Sequence, residues 1–240
     1  MFDHVTLRVA DLAASRAFYD TVLGVLGLER AHDEWGDFSL NPVGEAETAT
    51  SGLHVGFAAR SRELVDAFWR AGVDAGYASD GEPGRRPEYG EDYYGGFLLD
   101  PDGNSIEAVH HDTVGADGDL DHVWVRVADL AASRAFHELV GPFAGFGVDG
   151  VDGELVRFKP GDGAGSYSIL RDERPATSPF HLAFAAPEGA VRDWHAAALG
   201  AGYRDHGVPG ERPQYHAGYY GAYVLDPDGH NVELVDHHRD

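Results

Sequence analysis

Val9 to Phe18 reads VADLAASRAF, and Val127 to Phe136 reads VADLAASRAF again without a change. Ten identical residues in one order are an internal repeat, so the chain is read as two copies of one unit. Upstream, Asp3-His4-Val5 returns as Asp121-His122-Val123. Downstream, LHVGFA at Leu53 to Ala58 is answered by FHLAFA at Phe180 to Ala185. Towards the end of each half, Arg86-Pro87-Glu88-Tyr89 aligns with Arg212-Pro213-Gln214-Tyr215, and Tyr93-Tyr94-Gly95 with Tyr219-Tyr220-Gly221. LDPDG stands at both Leu99 to Gly103 and Leu225 to Gly229. The Gly/Asp-rich run Thr113 to Asp119 has linker composition and no apolar periodicity. The domains are therefore drawn at 1–112 and 120–240, with 113–119 as linker.

Each half reads as strand and helix, twice. In Phe2 to Val9, Val5, Leu7 and Val9 fall on one face of a strand, while His4, Thr6 and Arg8 fall on the other. Asp11 suits an N-cap, Leu12 to Leu23 a helix with Ala14, Phe18 and Val22 at spacing four, and Gly24 its stop. The second unit opens with a strand from Leu53 to Ala58. A helix follows around Arg62 to Ala71, with Leu64 and Phe68 in one stripe and Gly72 closing it. Tyr94 to Leu99 and Ser105 to Val109 flank Asp100-Pro101-Asp102-Gly103-Asn104 and read as a β-hairpin. Two or three strands are expected within Leu28 to Val43.

Composition narrows the function. Of the 240 residues 43% are hydrophobic, enough to build a core, and 41 acidic residues against 18 basic ones give a formal charge of −23. Lys159 is the single lysine. Like-charge repulsion argues against nucleic acids and anionic membranes as partners. The absence of cysteine removes disulfides, thiolate metal sites and cysteine nucleophiles. Asp3, His4 and Arg8 interrupt the first apolar stretch, and no run of about 18 uncharged apolar residues occurs. A cytoplasmic protein is expected.

Three positions able to ligate a metal recur in both halves: His4, His54 and Glu107, then His122, His181 and Glu233. Glu107 lies between Ile106 and Ala108, and Glu233 between Val232 and Leu234, so alternation turns each carboxylate to the face opposite its apolar neighbours. A carboxylate inside a sheet costs several kcal/mol unless paired or coordinated. Metal ligation meets that cost. Two histidines and one carboxylate leave open positions on an octahedral ion, and Fe, Mn, Ni, Co and Zn all suit such a set.

Other residues carry two readings each. Tyr89, Tyr93 and Tyr94, repeated as Tyr215, Tyr219 and Tyr220, either line a cup and donate to a substrate oxyanion or pack the hairpin. Tyr94, Tyr220 and His216 are taken as the catalytic candidates. His216 answers Gly90 and Trp124 answers Thr6, so two cups would be lined differently. Arg8 and Arg126 share a face with His4 and His122; balancing the glutamate is preferred to holding an acidic substrate group. His110-His111 and His237-His238 are read as solvated ends, and Asp102 and Asp228 as turn residues.

A strand opening Asp-His-Val, the helix motif Ala-Asp-Leu-Ala-Ala-Ser-Arg-Ala-Phe and a closing Asp-Pro-Asp-Gly-Asn-x-Ile-Glu together resemble the vicinal oxygen chelate superfamily over nearly the whole chain. That superfamily holds glyoxalase I, extradiol dioxygenases, fosfomycin-resistance thiol transferases, methylmalonyl-CoA epimerase and metal-free bleomycin-binding proteins. The resemblance implies an α+β fold of paired βαβββ units, forming open cup-shaped mixed sheets with helices outside, duplicated here. It places ligands at His4 and His122, His54 and His181, and Glu107 and Glu233. Glyoxalase I uses a further glutamate, and Phe38 to Leu40 and Ser166 to Leu170 hold no acidic residue, which argues against glyoxalase activity. In some members the units swap, so His4 either joins His54 and Glu107 or completes the site of His181 and Glu233. The expected function is divalent-metal-dependent chemistry on a small oxygen-chelating substrate, of dioxygenase, lyase or isomerase type. The alternative is a non-catalytic small-molecule binder of the antibiotic-resistance kind. A monomeric pseudo-dimer or a homodimer is expected.

Overall fold

The computed structural model describes residues 2–28, 37–45, 47–111, 120–161 and 165–238. The chain forms two compact units, one of Thr6–Val125 and one of Met1–Val5 with Arg126–Asp240. The linker drawn at 113–119 lies outside the described residues. Each unit thus takes its opening residues from the other sequence repeat. The described strands belong to two mixed sheets, of six and eight strands, with four α-helices, an α+β fold.

In the first unit the elements are the later part of β1 (Phe2–Val9), α1 (Leu12–Leu23), β2 (Phe38–Pro42), β3 (His54–Ala58), α2 (Arg62–Asp74), β4 (Ser79–Arg85), β5 (Tyr94–Leu99), β6 (Ser105–His110) and β7 (Leu120–Arg126). Five of these strands run in the order β4-β5-β6-β3-β7. β3 is parallel to β6 and antiparallel to β7, and β5 is antiparallel to β6. In the expected strand region of Leu28 to Val43, β2 is one strand, and residues 29–36 lie outside the described residues.

The second unit combines the start of β1 with α3 (Leu130–Ala144), β8 (Phe146–Asp152), β9 (Leu155–Pro160), β10 (Ser166–Leu170), β11 (His181–Ala185), α4 (Glu188–Gly200), β12 (Arg204–Glu211), β13 (Tyr220–Leu225) and β14 (Asn231–Asp236). Its strands β12-β13-β14-β11 are followed by β1, and β11 is parallel to β14.

The repeated helix motif is started by its aspartate. Asp11 accepts from the backbone N–H groups of Ala13 and Ala14 at 2.9 and 3.0 Å, and Asp129 from that of Ala132 at 3.0 Å. Two stops differ from the sequence reading. Gly24 keeps a right-handed φ of −56° and opens a short 3-10 turn, with the left-handed residue at Gly27 (φ 75°). Gly72 does not close α2, which runs on to Asp74. A Cβ at Gly72 would stand 2.4 Å from Leu98, so this glycine permits close packing on β5.

Each unit buries its own aromatic core. Phe18, Tyr19, Phe38, Phe57 and Phe68 are fully buried in one, and Phe136, Phe158, Tyr167, Phe184 and Trp194 nearly so in the other. Phe18 meets Tyr77 edge-on at 4.8 Å, and Phe136 meets Tyr203 likewise at 4.8 Å. Each buried ring contributes about 2 kcal/mol by area alone.

Candidate functional site

In the first unit, three neighbouring strands present their ligands side by side. Gly56 on β3 is paired with Glu107 on β6 and with His122 on β7, so the carboxylate and the imidazole flank a position with no side chain. A Cβ at Gly56 would lie 2.2 Å from the His122 ring. His54, two residues earlier on β3, shares the face. Its Nε2 lies 2.9 Å from Nε2 of His122 and 3.1 Å from Oε2 of Glu107, and Nε2 of His122 is 3.2 Å from the same oxygen.

The second unit repeats this arrangement with His4, His181 and Glu233. The two Nε2 atoms are 2.9 Å apart, and Oε2 of Glu233 lies 3.1 Å from His181 and 3.7 Å from His4. The six ligand-type residues therefore gather as His54, Glu107, His122 and as His4, His181, Glu233. Of the two pairings open from the sequence, the structure has the exchanged one. Among the described residues neither group contains a fourth histidine or carboxylate.

These donors fit a metal ion. Two ligand atoms about 2.1 Å from an ion and at right angles to each other stand about 3 Å apart. Glu233 is 1% exposed, and its Oε2 has no hydrogen-bond partner. Nδ1 of His4 bonds to Asp3 Oδ1 at 2.7 Å, and Nδ1 of His122 to Asp121 Oδ1 at 2.8 Å. With Nδ1 donating, the neutral ring turns the Nε2 lone pair inward. A carboxylate behind a ligating imidazole is the usual way such a ring is oriented and made more basic.

Electrostatics agree in the first unit. Burial opposes charge on His122, but the hydrogen bonds it donates to Asp121 and Glu107, and the charge of those carboxylates, outweigh it and lift the ring to about 9. Burial likewise opposes ionisation of Glu107, and its hydrogen bonds to His122 and His54 still hold the carboxyl below its usual value. Burial lowers His54 and His181. The site favours a positive charge between carboxylates, a place that a divalent cation takes as readily as a proton.

The paired tyrosines divide between two sets of partners. Tyr93, just before β5, donates to both oxygens of Glu107 at 2.8 and 2.9 Å, and Tyr219 donates to Glu233 Oε1 at 2.8 Å. Tyr94 donates instead to Asp66 on α2, and Tyr220 lies by Arg192 on α4. Strand alternation explains this. Phe97 is paired with Glu107, so 97, 95 and 93 share the ligand face and 94 takes the helix face. Burial and the adjacent glutamates push Tyr93 and Tyr219 well above the ordinary phenol range, so both stay protonated donors.

His216 stands at the start of a chain of contacts that leads to His4. Its Nε2 meets Nδ1 of His237 at 2.7 Å, and Nε2 of His237 meets Asp3 at 2.8 Å, which continues to His4. In the first unit His111 meets Asp121 at 2.9 Å in the same way. His111 and His237, read from sequence as solvated ends, are thus bonded to the aspartates behind His122 and His4. Arg8 pairs with Glu47 and Arg126 with Asp172. Around the first cluster stands an aromatic wall. Trp124 lies 6.0 Å from His54 and 6.1 Å from His122, Phe97 lies 6.0 Å from His54, and Tyr89, 46% exposed, meets Trp124 edge-on at 5.6 Å.

Residues 1–108 match the family described as the glyoxalase/bleomycin resistance protein/dioxygenase superfamily. The match spans the first of the two sequence repeats. Among solved structures, the chain is similar to a variant of glyoxalase I from Zea mays at 20% identity and a TM-score of 0.67, covering 98% of this chain and 92% of that one. The unaltered Zea mays glyoxalase I aligns at 19% identity and a TM-score of 0.64, covering 98% and 92%. A putative dioxygenase from Bacillus subtilis aligns at 15% identity and a TM-score of 0.65, covering 99% and 85%. At these identities the likeness is one of fold. Comparison with curated proteins gave no match. No helix among the described residues is long and apolar enough to cross a membrane.

Proposed function

We propose that this protein is a divalent-metal-dependent enzyme acting on a small substrate that offers oxygen atoms to the ion, by dioxygenase-, lyase- or isomerase-type chemistry. The observation that carries the reading is the convergence, twice in one chain, of two imidazole Nε2 atoms 2.9 Å apart on a buried glutamate. His54, His122 and Glu107 would hold one ion and His4, His181 and Glu233 the other. A bound divalent cation would supply Lewis acidity to the oxygens of the substrate.

The chain's own residues do the rest. Asp121 and Asp3 orient the ligating rings, and Tyr93 and Tyr219 hold the glutamates in place through their hydroxyl protons. Trp124, Phe97 and Tyr89 give the first cluster a flat apolar wall suited to an aromatic or unsaturated substrate. Small molecules are the partners this site fits; with two centres in one chain, light scattering is expected to give a monomer.

The test is metal content by mass spectrometry, on protein purified without chelator or histidine tag, against the His54→Ala/His181→Ala variant. The variant is expected to hold two fewer ions per chain, and the element found in the parent sorts oxygenase from lyase or isomerase chemistry. Equal content in both proteins would sink the reading. The aromatic wall also favours a second reading, capture of an aromatic ligand without turnover, which equal ligand affinity in metal-loaded and metal-stripped protein would support.

A further inference from the structure

At the turn between β5 and β6 the first unit has a closed polar network. Tyr19 donates to Asp100 Oδ2 at 2.8 Å, and Asn104 Nδ2 donates to the same oxygen at 2.9 Å and to the Thr50 carbonyl at 2.9 Å. Asn104 Oδ1 accepts from the Leu53 N–H at 3.1 Å, and Asp100 Oδ1 from the N–H groups of Asp102 and Asn104. The repeat puts histidine at two of these places, His137 for Tyr19 and His230 for Asn104.

Asp226 keeps the backbone bonds of its counterpart, accepting from Asp228 and His230 at 3.0 and 2.8 Å. The side-chain network is gone. His230 is 1% exposed, and neither of its ring nitrogens has a partner. His137 is fully buried; its Nε2 shares a hydrogen bond with the Tyr167 hydroxyl at 3.1 Å, while Nδ1 has none. Three buried ring nitrogens are therefore unpaired, each at a cost that native proteins rarely leave unmet.

We propose that Asp226, Asp228 and His230, with His137 beside them, form a third metal site, a buried divalent cation locking the β13–β14 turn to α3. One donor atom from each of Asp226, Asp228 and His230 lies within 4.8 Å of the others. The donors are held in place: Asp228 accepts from the Ala128 N–H at 3.0 Å and the Ser133 hydroxyl at 3.1 Å, and the Phe180 ring lies 4.6 Å from that of His230. The unpaired ring nitrogens of His230 are the donors that such an ion would take up. Mixed imidazole and carboxylate donors suit Zn, Ni, Co or Mn. The site is separate from the two clusters that carry the proposed function.

The experiment is a count of Zn(II) per chain, by mass spectrometry after chelator stripping, reloading and gel filtration, on the full-length parent, His230→Asn, and His137→Tyr/His230→Asn. The double variant recreates the Tyr19 and Asn104 pairing and serves as the folded control, checked by circular dichroism. Both variants are expected to hold one ion fewer than the parent, whatever number the other clusters retain. An unchanged count in the double variant would mean that buried water alone fills the turn, and would overturn the site.

Discussion

Asp121 sits between two rings, bonded to His122 Nδ1 at 2.8 Å and to His111 Nε2 at 2.9 Å. These two bonds hold its carboxyl below the usual range against the opposing effect of burial. Removing the charge while keeping the shape, Asp121→Asn, should weaken metal affinity in the first unit about 10- to 100-fold, the usual scale for a partner behind a ligand. Competition against a chelator of known affinity reads this directly, and an unchanged constant would remove Asp121 from the role. The repeat singles out six histidine and glutamate positions in the sequence by returning each at its own place, and the structure gathers them in two groups of three. Which tyrosine of each pair meets the glutamate was not legible, because Tyr93 lies outside the strand proper and its facing depends on the pairing of Phe97 with Glu107. Asp3 and His237 were missed because their contact spans nearly the whole chain.

At the scale of elements, two strands make room for the glutamates with glycine. A Cβ at Gly95 would stand 2.1 Å from Glu107 Oε1, and one at Gly221 would stand 2.3 Å from Glu233 Oε1. Gly95→Ala should therefore displace the carboxylate and abolish metal uptake by the first cluster while leaving the second loaded; loss of a single ion per chain is the expected count, and full retention would refute the packing argument. Helix α3 supports a pH prediction. His137 is held near 3, first by burial and then by its coupling to the nearby His230, whereas an unfolded histidine titrates near 6.5. The unfolded chain binds this proton first, so the stability involved is complete above about pH 6.5 and declines as pH falls towards 3. Between pH 7 and pH 5 the metal-stripped parent should lose about 2 kcal/mol more than His137→Tyr in urea unfolding, and a gap independent of pH would count against it. β1, both first helices and the closing hairpin were readable from alternation and capping. β4 and β12 were not: SDGEPGR and RDHGVPGE carry no apolar alternation, and both strands run with irregular register against their single neighbours.

Over the whole molecule, the sequence halves and the compact units divide the chain differently. Each half carries a complete set of two histidines and a glutamate, so the repeat alone is satisfied equally by sites within a half and by exchanged ones. The units, Thr6–Val125 and Met1–Val5 with Arg126–Asp240, each collect one set with the exchanged opening histidine. Paired substitutions separate the two arrangements. If His4 serves with His181 and Glu233, His4→Ala/His181→Ala damages one cluster, and the protein should lose one ion per chain. His4→Ala/His54→Ala then damages both and should lose two. Sites built within a half would reverse these counts, because His4 and His54 would then share one ion. The first variant also gauges how independent the two clusters are: His4→Ala/His181→Ala should keep the ion at His54, Glu107 and His122, and Trp124 beside that cluster should report the ion's binding through its fluorescence.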